Sequence, residues 1–501
     1  MHEIIRLSKK DNIAVTPNDI PKNITVNENN LTTKTLIPKD HKIAIKKILK
    51  GDKILKYGQI IGKASQNIDA GEHVHNHNMT FIEFERNILE QSEFDISLEN
   101  NSFSKTFKGY LRKNGKVGTR NYIGLVSTVN CSATVVKLIA NQINNYLKQN
   151  SFNNIDGAVC LKHSSGCSMN TDGYGMEVFY RTIEGFKNHP NFSHVFVIGL
   201  GCECAQISLF QNQESSNITY LNIQDEGGSK KIVNKCFEMI CKILPDANNI
   251  NRITLPVEKI SIALQCGGSD SYSGITANPS LGYASDILVS LGGSAILSET
   301  PEIYGAEHLL KGRTTEKNLQ NKIDKFISWW LNYTKINGGT LNNNPSPGNK
   351  KGGLTTILEK SLGATAKSGK SKLVDVIDYA ETIKVKGFNF MNSPGYDPVS
   401  VTGQVASGAN VICFTTGRGS CFGFKPVPSI KIATNSYMFN RMEDDMDINS
   451  GTIIDGLESI EENGIQIYES IVSVASGEKT KSEKNGYGDD EFNPWIIGAT
   501  L

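Results

Sequence analysis

The sequence predicts an α/β protein in which a small β-rich N-terminal domain precedes Rossmann-like α/β domains built on parallel sheets. From Tyr122 onward, buried strands alternate with amphipathic helices, as in a parallel sheet covered by helices on both faces. Residues 1–84 contain instead short β-branched runs separated by glycine and aspartate turns. With 501 residues the chain is too long for one core, so several domains are expected.

Composition excludes several classes of function. The chain has 52 lysines and arginines against 51 aspartates and glutamates. This balance leaves no large positive charge that would attract nucleic acid or an anionic membrane. No apolar run approaches the ~18 residues of a spanning helix, and the first residues become polar too soon for a signal peptide. We therefore expect a cytoplasmic protein with reduced thiols, without nucleic-acid or membrane partners.

The domain boundaries follow the changes in pattern. We predict a small β-rich domain at 1–84, a polar linker at 85–108, and α/β domains at 109–252 and 253–501. Strands in the first domain are expected near Asn12–Thr16, His41–Ile48 and Gln59–Ala64.

In the α/β part, strands and helices are predicted in alternation. The predicted strands are Tyr122–Val129, Asp156–Leu161, His194–Leu200, Ile260–Leu264, Ser294–Leu297, Val399–Val401 and Asn410–Phe414. The predicted helices are Ala133–Leu147, Met176–Phe186, Lys230–Ile243, Leu281–Leu291 and a segment with Leu319 to Leu331 on one face.

Four glycine- and cysteine-rich turns follow predicted strands, and they contain Cys131, Cys167, Cys202 and Cys266. In open parallel sheets, ligands bind beyond the carboxyl ends of strands. Glycine allows close backbone approach there, and thiolates can bind a metal. A dinucleotide site at Gly199 is excluded, because the third glycine of the motif is replaced by cysteine. These turns therefore predict a site that uses other chemistry.

Histidines alternate along the end of the small domain, where His73, His75 and His77 could share one face of a strand. Such a face suits Fe, Mn or Zn, or it is an exposed polar surface. Arg120 and Arg418 lie in glycine-rich segments beside predicted strands. Either guanidinium could bind a carboxylate bidentately or lie free on the surface.

Several motifs together resemble the altronate/galactarate dehydratase family over nearly the whole chain. These motifs are Gly109–Ile123, Val129–Thr134, Gly199–Glu203, Gly267–Pro279 and Ser298–Glu302. The first ~84 residues resemble the SAF (β-clip) domain with which these enzymes begin. The stretch from His73 to Asn78 and the segment Met446–Gly451 look more like the altronate branch. Cys204 and Ala205 depart from the family pattern.

The resemblance implies a hydro-lyase that dehydrates a sugar acid, most closely D-altronate, to 2-dehydro-3-deoxy-D-gluconate. It also implies a requirement for Fe²⁺, Mn²⁺ or another divalent cation. On this interpretation the candidate acids and bases are His163, Glu203 and Asp270. The candidate substrate-binding residues are Arg120, Asn130, Ser132 and Arg418. The candidate metal ligands are His73, His75, Cys131, Cys167, Cys202 and Cys266.

Alternatives remain open at the level of sequence. The substrate could be galactarate or a related hydroxy acid. The four strand-end cysteines could hold an iron–sulfur cluster, which also activates hydroxyl leaving groups. A non-catalytic sugar-acid sensor is the alternative outside enzymes. A sheet of this size commonly dimerises, so a homodimer is expected.

Overall fold

The structure is a computed structural model that describes residues 3–26, 30–84, 88, 103–211 and 216–500. It has the predicted fold class, with a small β-rich domain followed by domains built on parallel sheets. Most of the predicted linker lies outside the described residues. No helix of the described ranges is long and apolar enough to cross a membrane.

The N-terminal domain consists of two small antiparallel sheets, with strand orders β1-β2-β5 and β3-β4-β6. Its strands are β1 (Ile13–Val15), β2 (Lys42–Ala44), β3 (Lys53–Lys56), β4 (Gln59–Ala64), β5 (His73–Val74) and β6 (Met79–Thr80). Isoleucines such as Ile48, Ile54 and Ile61 fill its core. Lys42 and Lys56 are buried as well, because they face the C-terminal domain.

The second domain contains a four-stranded parallel sheet of order β10-β9-β11-β12, with helices on its faces. Its elements are β7 (Thr106–Leu111), β8 (Val117–Gly118), β9 (Tyr122–Ser127), α1 (Ala133–Gln149), β10 (Gly157–Leu161), α2 (Tyr174–Lys187), β11 (Phe192–Gly199), β12 (Ile218–Asn222), α3 (Ser229–Asn248) and β13 (Ile253–Pro256). A separate antiparallel sheet of order β13-β7-β8 borders it, and its strand β7 begins inside the predicted linker.

The C-terminal domain is built on a seven-stranded parallel sheet of order β16-β17-β15-β14-β18-β19-β20. Its elements are β14 (Ser261–Cys266), α4 (Ala277–Ser290), β15 (Ser294–Leu297), α5 (Glu307–Lys311), α6 (Lys317–Ile336), α7 (Pro347–Lys351), α8 (Ile357–Ala366), β16 (Leu373–Ile377), β17 (Phe388–Met391), α9 (Asp397–Ala406), β18 (Val411–Thr416), β19 (Ser429–Ala433), α10 (Ser436–Arg441), β20 (Ile448–Asn449), α11 (Ile460–Ala475) and α12 (Lys481–Lys484). The strands are buried on both faces, as expected for a parallel sheet.

The strand predicted at Val399–Val401 is wrong, because these residues lie within helix α9. The helix is buried on nearly all sides, so its apolar run fits the two-residue period of a strand as well as the 3.6-residue period of a helix. Pro398 stands in its first turn, where the fixed φ of proline favours a helix. The chain's last segment docks on the second and third domains through Trp495, which stacks on Trp330.

Candidate functional site

The N-terminal domain packs against the carboxyl edge of the seven-stranded sheet, and we name the junction between them the cleft. The segment after α7 runs between the two, and its glycines permit close contact. A Cβ on Gly353 would lie 2.1 Å from the carbonyl oxygen of Asp40 in the N-terminal domain. A Cβ on Gly352 would lie 3.0 Å from the Cβ of Asp270 in the C-terminal domain. The backbone of Gly352 and Gly353 therefore lies in close contact with the N-terminal domain on one side and with Asp270 on the other.

Three histidines converge on the N-terminal wall of this cleft. One ligand atom from each of His41, His73 and His75 lies within 4.8 Å of the others. Nδ1 of His41 is 2.9 Å from Nε2 of His73, close to the ~3 Å spacing of two ligands about 2.1 Å from one ion at a right angle. Nδ1 of His75 is buried and has no hydrogen-bond partner within the described ranges. The triad is thus arranged as a set of metal ligands.

The protonation of the triad suits a metal. Burial, together with the neighbouring histidines and Lys42, lowers the pKa of His73 and of His75 to about 3. Neutral imidazole is the form that binds metals. His41 is oriented by a 3.3 Å contact between its Nε2 and the carbonyl oxygen of Lys351.

The structure brings the predicted ligands His73 and His75 together and adds His41, which the sequence did not single out. Strand β2 pairs antiparallel with β5, so that Ile43 lies opposite His73. This pairing carries His41 to the triad from a distant part of the chain. His77 lies outside the triad, although its ring is 5.1 Å from that of His73.

Arg418 and Asp40 lie on opposite sides of the same cleft. Arg418 is exposed, and its guanidinium forms no hydrogen bond or ion pair with the described residues. Its backbone N–H donates to the carbonyl oxygen of Gly268. Asp40 has a left-handed backbone with φ 70°, and its Oδ1 is buried without a hydrogen-bond partner among described atoms. Burial and the nearby charge of Asp270 raise the pKa of Asp40 to about 6. Both side chains therefore have unused polar capacity.

Asp270 organises the loop that carries Arg418. Its Oδ1 accepts from both the N–H and the hydroxyl of Ser273, and its Oδ2 accepts from Thr434 and Asn435. A Cβ on Gly417 would lie 2.0 Å from the carboxyl carbon of Asp270, so the loop is wrapped directly around this carboxylate. Its predicted role as an acid or base stays a prediction, and its contacts are those of a positioning residue.

A second, fully buried cluster lies beneath the loop from Gly267 to Asp270. It comprises Cys266, Glu299, Glu302, Lys360 and Lys367. Nζ of Lys367 is 2.9 Å from the sulfur of Cys266, and Nζ of Lys360 is 2.7 Å from Glu302. Cys266, Glu299 and Glu302 form the second close group of ligand atoms found in the described chain.

Charge balance distinguishes this inner cluster from the histidine triad. Burial raises the pKa of Glu299 well above its usual range. Although burial opposes it, the Lys360 ammonium keeps the pKa of Glu302 below its usual value. The ammonium groups of Lys360 and Lys367 already balance the ionised carboxylate of Glu302, so the inner cluster needs no metal ion for charge balance. Cys266 therefore lies among ligand-type atoms but is hydrogen-bonded to an ammonium.

The predicted residues of the second domain fasten strand-end loops to one another. His163 is buried, with Nε2 2.8 Å from the carbonyl of Ser127 and Nδ1 accepting from the N–H of Ser165. Burial lowers the pKa of His163 to about 4. Glu203 accepts from the Thr128 hydroxyl and from the N–H of Gly201. Both side chains are fully engaged, and their proposed proton transfer stays a prediction.

Asn130 and Ser132 have similar contacts with backbone atoms. The amide of Asn130 donates to the carbonyl of His163 at 3.1 Å. The hydroxyl of Ser132 donates to the carbonyl of Ile198 at 2.8 Å. These bonds join the loop after β9 to its neighbours, and nothing in the described contacts connects them to the cleft.

Arg120 requires a correction, because the structure leaves none of its donors for a substrate. Its Nε and one terminal nitrogen form a fork with the carboxylate of Glu483. The remaining N–H groups donate to the carbonyls of Thr119, Val474 and Glu478. The five donors of a guanidinium are thereby used, and Arg120 joins the second domain to the C-terminal segment.

The four strand-end cysteines do not share one site. Cys131, Cys167 and Cys202 are exposed in loops of the four-stranded sheet. Cys266 is buried at the end of β14 in the other sheet and is bonded to Lys367. A cluster held by all four is therefore excluded by their positions.

Comparison with known proteins identifies the class of this chain. Residues 2–81 match the altronate/galactarate dehydratase SAF domain, residues 109–248 match the second domain of D-galactarate dehydratase/altronate hydrolase, and residues 257–500 match the C-terminal domain of D-galactarate/altronate dehydratase. The chain belongs to the D-galactarate/altronate dehydratase family. It is therefore an enzyme, a hydro-lyase acting on a sugar acid, with an N-terminal SAF domain.

Individual relatives cover the whole chain. The chain is 33% identical to altronate dehydratase of Bacillus subtilis over 510 residues, which is 100% of both chains. It is 33% identical to altronate dehydratase of Escherichia coli over 509 residues, again 100% of both. It is 36% identical to galactarate dehydratase (L-threo-forming) of Escherichia coli over 520 residues, which is 98% of this chain and 96% of that protein.

Proposed function

We propose that this enzyme dehydrates D-altronate to 2-dehydro-3-deoxy-D-gluconate with the assistance of a divalent metal. Two full-length relatives are named altronate dehydratases. The observation that carries the proposal is the convergence of His41, His73 and His75 in a cleft that also contains the unpaired guanidinium of Arg418. On this proposal the histidines on one side of the cleft bind the metal ion, and Arg418 on the other side binds the substrate carboxylate.

The donor set fits Fe²⁺ or Mn²⁺. Three neutral imidazoles bind one ion and leave further coordination positions free. The buried, unpartnered Nδ1 of His75 is satisfied by such an ion. When bound, the ion stabilises the negative charge that develops as the proton beside the substrate carboxylate is removed.

The remaining chemistry falls to side chains of the cleft. Arg418 holds the substrate carboxylate through two parallel hydrogen bonds, because a guanidinium matches the geometry of a carboxylate. Oδ1 of Asp40, which no described group occupies, takes the proton from C2. The C3–O bond then breaks, and the hydroxyl leaves as water with the proton that Asp40 received. The resulting enol tautomerises to the 2-keto-3-deoxy acid.

Galactarate is the second candidate substrate, since the relative with 36% identity is named a galactarate dehydratase. Galactarate has a second carboxylate where altronate has its terminal hydroxymethyl group. A panel of aldonates and aldarates, with Fe²⁺, Mn²⁺ and Zn²⁺ varied, distinguishes the two through formation of 2-keto-3-deoxy acid. We expect kcat/KM for D-altronate to exceed that for galactarate at least about tenfold, and the reverse order would replace altronate by galactarate.

The metal site has a separate test. His75→Gln removes one triad ligand, and we expect it to weaken metal binding, measured by calorimetry on the metal-free protein, by at least about 100-fold. His77→Gln is the matched control, because His77 is exposed and lies outside the triad. Equal metal affinity of the two variants would contradict the assignment of the triad.

A further inference from the structure

Three cysteines occupy equivalent positions at the carboxyl edge of the four-stranded sheet. Strands β10, β9 and β11 are neighbours in the sheet, and each is followed by a loop with one of these cysteines: Cys167, Cys131 and Cys202. Ser127 pairs with Ile198 across β9 and β11, and Cys131 and Cys202 stand at the same offset beyond this pair. The parallel register therefore brings the three loops to one edge.

The exposure of these thiols is not explained by packing. Cys131, Cys167 and Cys202 are exposed, as is Cys421 in the C-terminal domain, whereas Cys236, Cys266 and Cys413 are buried. A free cysteine that only fills space is among the most buried residue types. Three exposed thiols in adjacent loops thus indicate a chemical role.

The three loops are fastened to one another by several hydrogen bonds. The N–H of Asn130 donates to the carbonyl of Ser165 at 2.9 Å, and the N–H of Ala205 donates to the carbonyl of Gly166 at 3.1 Å. Gly166 has φ 98°, and a Cβ there would lie 2.1 Å from the carbonyl oxygen of Thr128. These contacts hold the three loops in a defined arrangement relative to one another.

The side chains that looked catalytic in the sequence belong to this scaffold. His163 bridges the loop after β10 to the end of β9. Glu203 bridges the loop after β11 to Thr128 at the end of β9. A buried histidine and a buried glutamate thus fix the three cysteine loops relative to one another.

The three sulfurs are too far apart in this arrangement to share a single metal ion. In the described chain, the groups whose ligand atoms all lie within 4.8 Å of one another do not include these cysteines. Sulfur ligands around one Zn²⁺ or Fe²⁺ at about 2.3 Å would lie within that distance. An iron–sulfur cluster spreads its thiolate ligands over separate iron atoms.

We propose that Cys131, Cys167 and Cys202 hold a 4Fe–4S cluster with one iron that has no protein ligand. Each thiol releases its proton as its sulfur binds iron, while two Fe²⁺, two Fe³⁺ and four sulfide ions are taken up from outside, so that no electrons are gained or lost in assembly. Cys266 cannot serve as the fourth ligand, because it is buried at the end of β14 and bonded to Lys367. Because the three thiols are exposed at the strand edge, the iron without a protein ligand would be open to an oxygen ligand.

This cluster goes beyond the proposed function, because it is a second cofactor separate from the ion at the histidine triad. The first experiment is purification of the full chain without oxygen, followed by iron and acid-labile sulfide analysis, visible absorption and electron paramagnetic resonance. We expect about four iron and four sulfide per chain. Iron without sulfide, in protein that is nonetheless active, would overturn the cluster and leave the proposed dehydration intact.

Variants locate the cluster. Cys131→Ser, Cys167→Ser and Cys202→Ser are each expected to lower sulfide content at least about fourfold, because each removes one of three ligands. Cys241→Ser on α3 is the matched control and is expected to retain the full content. Cys204→Ser is also expected to retain the full sulfide content. A loss of sulfide in this variant would overturn the proposal that one iron has no protein ligand.

Alkylation of the unaltered protein provides a test that does not depend on the folding of variants. In the anaerobic holoprotein, we expect iodoacetamide to label Cys131, Cys167 and Cys202 at least about tenfold less than after the cluster has been removed with ferricyanide and a chelator. Peptide mass spectrometry measures the labelling. Equal labelling before and after removal would overturn the proposal.

Discussion

Nζ of Lys42 lies 2.9 Å from Oε2 of Glu359, and both side chains are completely buried between the N-terminal domain and helix α8. Nζ of Lys56 lies 2.9 Å from Oε1 of the same carboxylate. One glutamate of the C-terminal domain therefore pairs with two ammonium groups of the N-terminal domain. This arrangement fixes the wall that carries the histidine triad against the wall that carries Arg418.

Glu359→Gln is expected to destabilise the protein, because it leaves two buried ammonium groups without a negative partner. Breaking a buried pair costs about 3–5 kcal/mol, and we expect the free energy of unfolding in urea to fall by that amount. Asp69→Asn is the control, since the Lys34–Asp69 pair is about half exposed and is screened by solvent, so that its loss should change stability little. Equal losses in the two variants would contradict the role of Glu359.

Arg418 and Arg120 are expected to respond oppositely to substitution. Arg418→Gln removes a guanidinium with unused donors, so KM for the sugar acid should rise about 10- to 100-fold, the equivalent of about 1.5–3 kcal/mol for a charged hydrogen bond. Its melting temperature should change little. Arg120→Gln removes the partner of Glu483 and should lower the melting temperature, with little effect on KM of the protein that remains folded. Steady-state kinetics and thermal unfolding of both variants provide the comparison.

The contrast between the two arginines shows where sequence reasoning stops. Both lie in glycine-rich segments beside strands, and both could bind a carboxylate. Glu483, which occupies Arg120, is 363 residues away in the chain, so no local pattern reveals the pairing. His41 was missed for a related reason, because only the antiparallel pairing of β2 with β5 brings it to His73.

The fold itself was largely predictable, because alternating strands and helices leave a periodic signal in the sequence. Strands such as Leu373–Ile377 and Phe388–Met391 were missed, since short buried strands lack that period. The inner charged cluster was missed as well. Lys360 reaches Glu302 across 58 residues, and each member alone resembles an ordinary surface charge.

Gly417 is expected to tolerate no side chain. A Cβ there would lie 2.0 Å from the carboxyl carbon of Asp270, and this carboxylate is held in place by Thr434 and Asn435. Gly417→Ala should therefore displace the loop that carries Arg418 and lower kcat/KM at least about tenfold. Gly348→Ala is the matched control, because the nearest atom to its Cβ would be 3.6 Å away. A fully active Gly417→Ala variant would contradict the fixed position of this loop.

Buried histidines are expected to make stability fall in mild acid. His189 is buried at the junction of the second and C-terminal domains, where Nε2 is 3.0 Å from the carbonyl of Ala409 and Nδ1 accepts from the N–H of Asn191. Burial lowers the pKa of His189 to about 4, whereas the unfolded chain has the ordinary value of about 6.5. Between these values the unfolded state binds a proton that the folded state does not.

The contribution of His189 is therefore fully present above about pH 6.5 and is lost progressively as the pH falls toward 4, to a total of about 3 kcal/mol. We expect His189→Gln to be less stable at pH 7, because an amide cannot reproduce both hydrogen bonds, yet to lose less stability than the parent between pH 7 and pH 4.5. His77→Gln, at an exposed histidine, should keep the parent's pH dependence. Urea unfolding of the metal-free proteins at several pH values measures both slopes, and identical slopes for all three proteins would show that His189 does not titrate in this way.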